Sequence, residues 1–237
     1  MKITIIGVTE GEEGVRAIPR NYRSVTGRVE TLRGDTVGYE STLERDFVHL
    51  LDFNARVGKI IGQPLRIQYK VDEGNARSYT PDVLVRFLPI GDSKPWRPTL
   101  FEVKYREELE DRRQELLPGF KAAQKVCRTR GWNFRVVTER YIRNTYLQNV
   151  QFLRDYRAYP DDGAKSLMLL RTMEKLRVAT PAQLLAATFM DMTNRMEAVG
   201  VLWRLITTRA IGANLMNSLN MSSEIWHEEP VLYGSER

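Results

Sequence analysis

Residues 100–105 read Leu-Phe-Glu-Val-Lys-Tyr, an apolar strand with two charges set into it. Side chains alternate across a strand, so Glu102 and Lys104 share one face while Phe101, Val103 and Tyr105 take the other. A buried strand tolerates charges only where they are paired or hold an ion. Whatever fold this chain adopts must therefore bring partners to Glu102 and Lys104.

Asp82 poses the same problem, because it heads the apolar run Val83-Leu84-Val85. If the two strands are neighbours, Asp82 and Glu102 converge on a divalent cation, with the Val103 carbonyl as a third oxygen. Oxygen donors with no sulfur or imidazole among them point to Mg²⁺ or Mn²⁺. Such an ion lowers the pKa of a bound water and offsets charge building on a phosphate, and Lys104 would orient that water and stabilise that charge, or act as a base where neighbouring cations lower its pKa. Glu44 lies on the same helical stripe as Phe47, Val48 and Leu51 and so faces inward, where a metal or water could use it. Plainer readings stay open. Glu44 is also the third-position partner of a Ser41 capping box, Glu102 and Lys104 could pair on a solvated edge, and Asp82 after Pro81 could be turn chemistry.

Composition narrows the chemistry further. Apolar residues at 42% and charged ones at 28% of 237 describe an ordinary folded chain, long enough for one large domain and a small one. A single cysteine excludes an intramolecular disulfide framework and multi-cysteine metal sites, and His49 and His227 are too few for histidine-rich ones. No apolar run approaches the ~18 residues of a membrane helix, and the acidic start MKITIIGVTEGEEG is unlike a signal peptide. The expected location is the bacterial cytoplasm, with no membrane partner. The net charge of +6 and the pI near 9.5 favour a polyanion. Nearly all of that excess, +5, falls in residues 1–164.

The order of patterns along the chain is helix (about 42–53), strand (65–71), strand (81–87), strand (100–105), helix (about 118–130) and strand (132–137). It predicts an α/β domain, a mixed sheet flanked by helices, over residues 1–163. The turn-like Tyr159-Pro160-Asp161-Asp162-Gly163 marks the expected boundary to a small helical domain at 164–237, where every methionine but Met1 falls. Two basic stretches are candidates for DNA contact: an N-terminal arm with Arg20, Arg23 and Arg28, and a helix with Lys121, Lys125 and Arg128. Solvated faces would look the same.

Pro81-Asp82 followed by Glu102-Val103-Lys104, with Glu44 on a preceding helix, resembles the PD-(D/E)xK nuclease motif. More specifically, Ser24-Val25-Thr26-Gly27-Arg28, Glu40-Ser41-Thr42-Leu43-Glu44, Tyr79-Thr80-Pro81-Asp82, Phe101-Glu102-Val103-Lys104 and Phe134-Arg135-Val136-Val137-Thr138-Glu139 are similar to the catalytic domain of the TnsA endonucleases of heteromeric cut-and-paste transposons. The resemblance implies a restriction-endonuclease-like fold that cuts the 5′ ends, the non-transferred strands, of the transposon. It also implies a DDE transposase (TnsB-like) and an AAA+ regulator (TnsC-like) as partners, Glu44, Asp82 and Glu102 as metal holders, and Lys104 as the catalytic lysine. The position of Glu102 can be glutamine in this family, so a carboxylate here is a stronger ligand but a less distinctive mark. A stand-alone PD-(D/E)xK restriction or repair nuclease and a non-catalytic DNA-binding scaffold are the alternatives.

In TnsA-like proteins the C-terminal region resembles a winged helix. The candidate helices here are 165–176, 182–188 behind a Thr180-Pro181 start, and 194–207 with Met196, Val199, Leu202, Trp203 and Ile206 on its apolar face, with residues 211–225 as the wing. A charge of only +1 over 165–237 favours docking of a protein there over DNA. The methionines read as core filler before they read as a contact surface.

Overall fold

The computed structural model describes residues 1–11, 14–15, 25–31, 33–89 and 93–228. Arg20 and Arg23 of the basic arm lie outside the described residues. By contact the chain divides into two units, Met1–Ile142 and Arg143–Arg237.

The first unit is organised by one bent hairpin. Strands β4 (Val57–Gly62) and β5 (Leu65–Val71) follow each other across Gln63-Pro64, and β6 (Ala76–Tyr79) and β7 (Val83–Phe87) across Thr80-Pro81-Asp82. β4 pairs with β7 and β5 with β6, both antiparallel. The two arms thus run together and turn together from one sheet into another. Proline cannot donate to a ladder, so Pro64 and Pro81 mark the turn on both strands. The Gln63 N–H donates to the Asp82 carbonyl at 2.7 Å and pins the corner. Gln63 takes φ 45, a left-handed conformation that a side chain adopts at a cost.

Beyond the corner, β1 (Ile3–Glu10) joins β5 and β6 in a three-stranded sheet. A four-stranded sheet has the order β4-β7-β8-β9, with β8 at Thr99–Val103 and β9 at Asn133–Val137. β8 is antiparallel to β7 and parallel to β9, so the sheet is mixed, as predicted. A short hairpin of β2 (Gly27–Glu30) and β3 (Thr36–Tyr39) precedes α1 (Thr42–Phe53). α1 covers one face of the sheet, where Phe47 meets Phe101 edge-on at 5.1 Å. After α2 (Arg106–Asp111), helix α3 (Arg113–Arg130) covers the other face. Its Ala122, Ala123, Val126 and Cys127 pack with Ile61, Leu65, Ile67, Leu84 and Leu100 into a single core.

α3 begins five residues before the expected start at Pro118, and the proline sits inside it. Ahead of Pro118, Arg112 pairs with both Glu108 and Glu115, bridging the end of α2 and the first turn of α3. Gly131, at φ 69, ends α3. A four-residue helix, α4 (Glu139–Ile142), closes the unit.

In the second unit, α5 (Thr145–Arg154), α6 (Gly163–Leu176), α7 (Pro181–Thr188) and α8 (Met192–Thr207) accompany a small sheet of β10 (Val178–Ala179), β12 (Ile225–His227) and β11 (Ile211–Ala213), in that order. The Tyr159–Gly163 turn lies inside this unit, because α5 belongs to it. The Phe152 ring meets Trp203 of α8 at 5.2 Å, and the Leu153 carbonyl accepts from the Thr207 hydroxyl. Asn149 fastens the segment after β11: its amide donates to the Leu215 and Asn217 carbonyls and accepts from the Leu219 N–H. Thr180 and Gln183 form the capping box that starts α7.

The methionines are not core filler. Met173 alone is fully buried, whereas Met190 is 94% exposed and Met168, Met192, Met196, Met216 and Met221 also face outward. The buried stripe of α8 runs instead through Ala198, Val201, Leu202, Trp203, Leu205 and Ile206, which rotates the expected face away from Met196.

Candidate active site at the sheet corner

Asp82 sits at the corner, just outside the β7 ladder, so its carboxylate is free to reach sideways. It accepts the Val103 N–H at 2.7 Å, one residue beyond Glu102 on the neighbouring strand. The pairing of Val83 with Phe101 sets this neighbourhood. Lys104 follows directly on β8, its N–H still held by the Val137 carbonyl. Its ammonium then touches three oxygens: Glu102 Oε1 at 3.0 Å, the Val103 carbonyl at 3.2 Å and Asp82 Oδ2 at 3.6 Å. The second Glu102 oxygen accepts the Tyr79 hydroxyl at 2.5 Å. All four groups are largely shielded, the Glu102 side chain being 3% exposed, Asp82 13% and Lys104 19%.

Glu44 occupies the capping box. The Ser41 hydroxyl accepts from the Glu44 N–H and donates to Oε1, while Oε2 accepts the Glu40 N–H. Both oxygens are therefore engaged at the start of α1. Glu44 is nonetheless close enough to Asp82 and Lys104 to feel their charge.

Burial, and then the charge of Asp82, push the Glu44 and Glu102 carboxyls up to about 7. Burial also raises Asp82, against the pull of Lys104 and the Val103 N–H. Desolvation would lower Lys104, but Asp82 and Glu102 outweigh it and hold the ammonium well above its ordinary value. In this metal-free arrangement the ammonium carries a proton it can donate, and its charge can orient or stabilise an anion beside it.

The ammonium contacts show that Asp82, Glu102 and the Val103 carbonyl face a common point. These hard oxygens, two of them from shielded carboxylates whose pKa values burial raises, fit one Mg²⁺ or Mn²⁺. Among the described residues no three His, Cys, Asp or Glu side chains are grouped to hold an ion.

A pH dependence follows. In the folded chain Glu44 and Glu102 keep their protons up to about 7, against an ordinary 4.5. Between these values the folded state binds more protons than the unfolded one, so stability falls as pH rises through the window, while Lys104 stays charged and adds no slope. The metal-free chain is expected to melt about 5–10 °C lower at pH 8 than at pH 5, and Glu102→Gln to flatten roughly half of that change. Melting curves across this range check it, and parallel curves for the two proteins would contradict it.

The other predicted contact residues are dispersed. Arg28 is exposed on β2. Lys121 and Arg128 are exposed on α3, whereas the Lys125 ammonium donates to the Ile3 carbonyl and Arg130 pairs with Glu10, so part of that basic face fastens β1. Sequence reasoning gave no role to Tyr79 or to Gly119. The Tyr79 ring lies over Gly119 of α3, where a Cβ would come within 2.9 Å of it, and meets Phe120 edge-on at 6.1 Å. No curated protein matches the chain. Residues 54–139, which carry the corner, Asp82, Glu102 and Lys104, match the family model of the TnsA-like endonuclease N-terminal domain.

Proposed function

We propose that the chain is a Mg²⁺- or Mn²⁺-dependent DNA endonuclease that cuts the 5′ ends of a transposon within a heteromeric transposition complex. The observation that carries this reading is the convergence of Asp82, Glu102 and the Val103 carbonyl on the Lys104 ammonium inside a TnsA-like endonuclease segment. Asp82, Glu102 and the Val103 carbonyl would hold the ion, whose chemistry is activation of a water and neutralisation of phosphate charge. Lys104 keeps its proton and stabilises the pentacovalent phosphate by donating to it. Glu44, its oxygens engaged at the α1 cap, holds α1 against this corner and contributes negative potential. DNA is the substrate that the basic balance of the chain favours, with Arg28, Lys121 and Arg128 as exposed contacts.

Within the second unit, α6, α7 and α8 with the three-stranded sheet fit the winged-helix reading of the C-terminal part. Its outward methionines, Met190, Met192 and Met196 around the start of α8, offer adaptable apolar contact to a protein partner. We assign that partner to the DDE transposase or the AAA+ regulator. No helix among the described residues is long and apolar enough to cross a membrane.

The test incubates the chain with Mg²⁺ and DNA bearing transposon ends labelled on each strand, with and without the partner transposase. Nicks confined to the 5′ strands and arrested by EDTA are expected. Intact DNA with every partner present overturns the endonuclease reading, and equal cutting of both strands overturns the transposon-end assignment.

A further inference from the structure

A second chemically distinctive surface lies at the far end of β7. Its last ladder bond, from the Leu88 N–H to the Arg56 carbonyl at 2.7 Å, extends the β4–β7 pairing and sets Arg56 opposite Leu88. Alternation puts Arg86 on the same face as Leu88, and Lys59 is the register partner of Arg86. Arg56, Lys59 and Arg86 therefore share one sheet face. Next to them Arg56, Leu88, Ser93, Lys94 and Trp96 line a cleft.

Trp96 organises this cleft. It stands in the run Lys94-Pro95-Trp96-Arg97-Pro98, where two prolines restrict the backbone. The Phe87 ring supports it edge-on at 5.5 Å, and the Arg56 guanidinium lies 4.2 Å from its centroid. Trp96 nevertheless remains 55% exposed. Burying so large a ring is favourable, so a half-open tryptophan in a braced loop marks a contact surface. Among the described residues no carboxylate forms an ion pair with Arg56, Lys59, Arg86, Lys94 or Arg97. A guanidinium stacked on an aromatic face keeps its edge free for two N–H donors to one phosphate.

We propose that the Arg56–Trp96 cleft is a second nucleic-acid site that binds the phosphodiester backbone of DNA away from the scissile phosphate. The inference rests on the reading of DNA as the substrate. Asp82 precedes β7 and the cleft follows it, so the two sites are separated by about 17 Å along the strand, and the phosphate bound at one is not the phosphate bound at the other. Arg56 and Lys94 grip the backbone, Lys59, Arg86 and Arg97 add long-range attraction, and the open part of Trp96 offers a surface on which a base can stack.

The test uses the full chain in EDTA, where cutting is arrested, with a labelled 30-base-pair duplex and a single strand of the same sequence, over a range of KCl. Arg56→Gln and Lys94→Gln, both surface changes, are each expected to weaken binding about 3–10-fold and to reduce the log–log salt slope by about one. Trp96→Phe should abolish the DNA-induced change in tryptophan fluorescence. A larger loss on the single strand than on the duplex in Trp96→Ala assigns base stacking to the ring, and equal losses assign it to bracing Arg56. If the chain binds DNA and both charge variants keep wild-type affinity and slope, the cleft is not a DNA site, and an acidic protein becomes its occupant. Absence of any salt-dependent DNA binding by the wild-type chain removes the DNA reading itself and this site with it.

Discussion

Lys104→Ala is expected to lower the cleavage rate about 10²–10³-fold while the chain still binds Mg²⁺, about tenfold more tightly than the wild type does. The ammonium lies against the three oxygens that would hold the ion, at 3.0, 3.2 and 3.6 Å. Binding of the ion therefore requires the lysine to retreat from them, and removing the lysine removes that competition. It also removes the donor that meets developing phosphate charge, so affinity and rate move in opposite directions. Asp82→Ala differs. It deletes a ligand oxygen and leaves the Val103 N–H without its acceptor, so both rate and ion affinity fall. Single-turnover cleavage and metal titration calorimetry on the two variants separate the roles. Wild-type cleavage by Lys104→Ala, or undiminished Mg²⁺ affinity in Asp82→Ala, would refute the assignment.

The residues of this site are legible in the sequence because three of them violate a local rule and one obeys it. Glu102 and Lys104 interrupt an apolar strand, Asp82 heads another, and Ser41-Thr42-Leu43-Glu44 reads as a capped helix start, which it is. The corner that brings them together was not legible. It depends on Gln63-Pro64 meeting Thr80-Pro81-Asp82 across two strands, a pairing that no local pattern encodes. Tyr79 carries no local signal of its role for the same reason, since its partner Glu102 is 23 residues away on another strand. The methionines misled because apolar character predicts burial on average and says nothing of which face a partner covers. Charge patterning along one helix also hides part of the picture, as Lys125 and Arg130 contact β1, whereas Arg56, Lys59 and Arg86 are scattered along the sequence and gather only through the β4–β7 register.

Tyr79→Phe is expected to raise the Mg²⁺ concentration for half-maximal cleavage about 10–100-fold, with a smaller effect on the rate at saturation. The Tyr79 hydroxyl fixes one Glu102 oxygen and Lys104 touches the other, so the carboxylate is oriented from both sides. When an ion draws the lysine away, the tyrosine is the remaining constraint, and a hydrogen bond to a charged group contributes about 1.5–3 kcal/mol. The ring itself is positioned from α3. Gly119→Ala should be mildly stabilising by helix propensity, by about 1 kcal/mol, yet its Cβ would stand 2.9 Å from the Tyr79 ring and press it out of place. Gly119→Ala should therefore reproduce the Tyr79→Phe defect at reduced size, roughly 3–10-fold, although residue 119 touches neither substrate nor ion. Direct titration of Mn²⁺ binding distinguishes this from general loosening, because a purely structural defect lowers the melting temperature without a selective loss of ion affinity. Unchanged ion affinity in both variants would refute a role for Tyr79 in orienting Glu102 toward the ion.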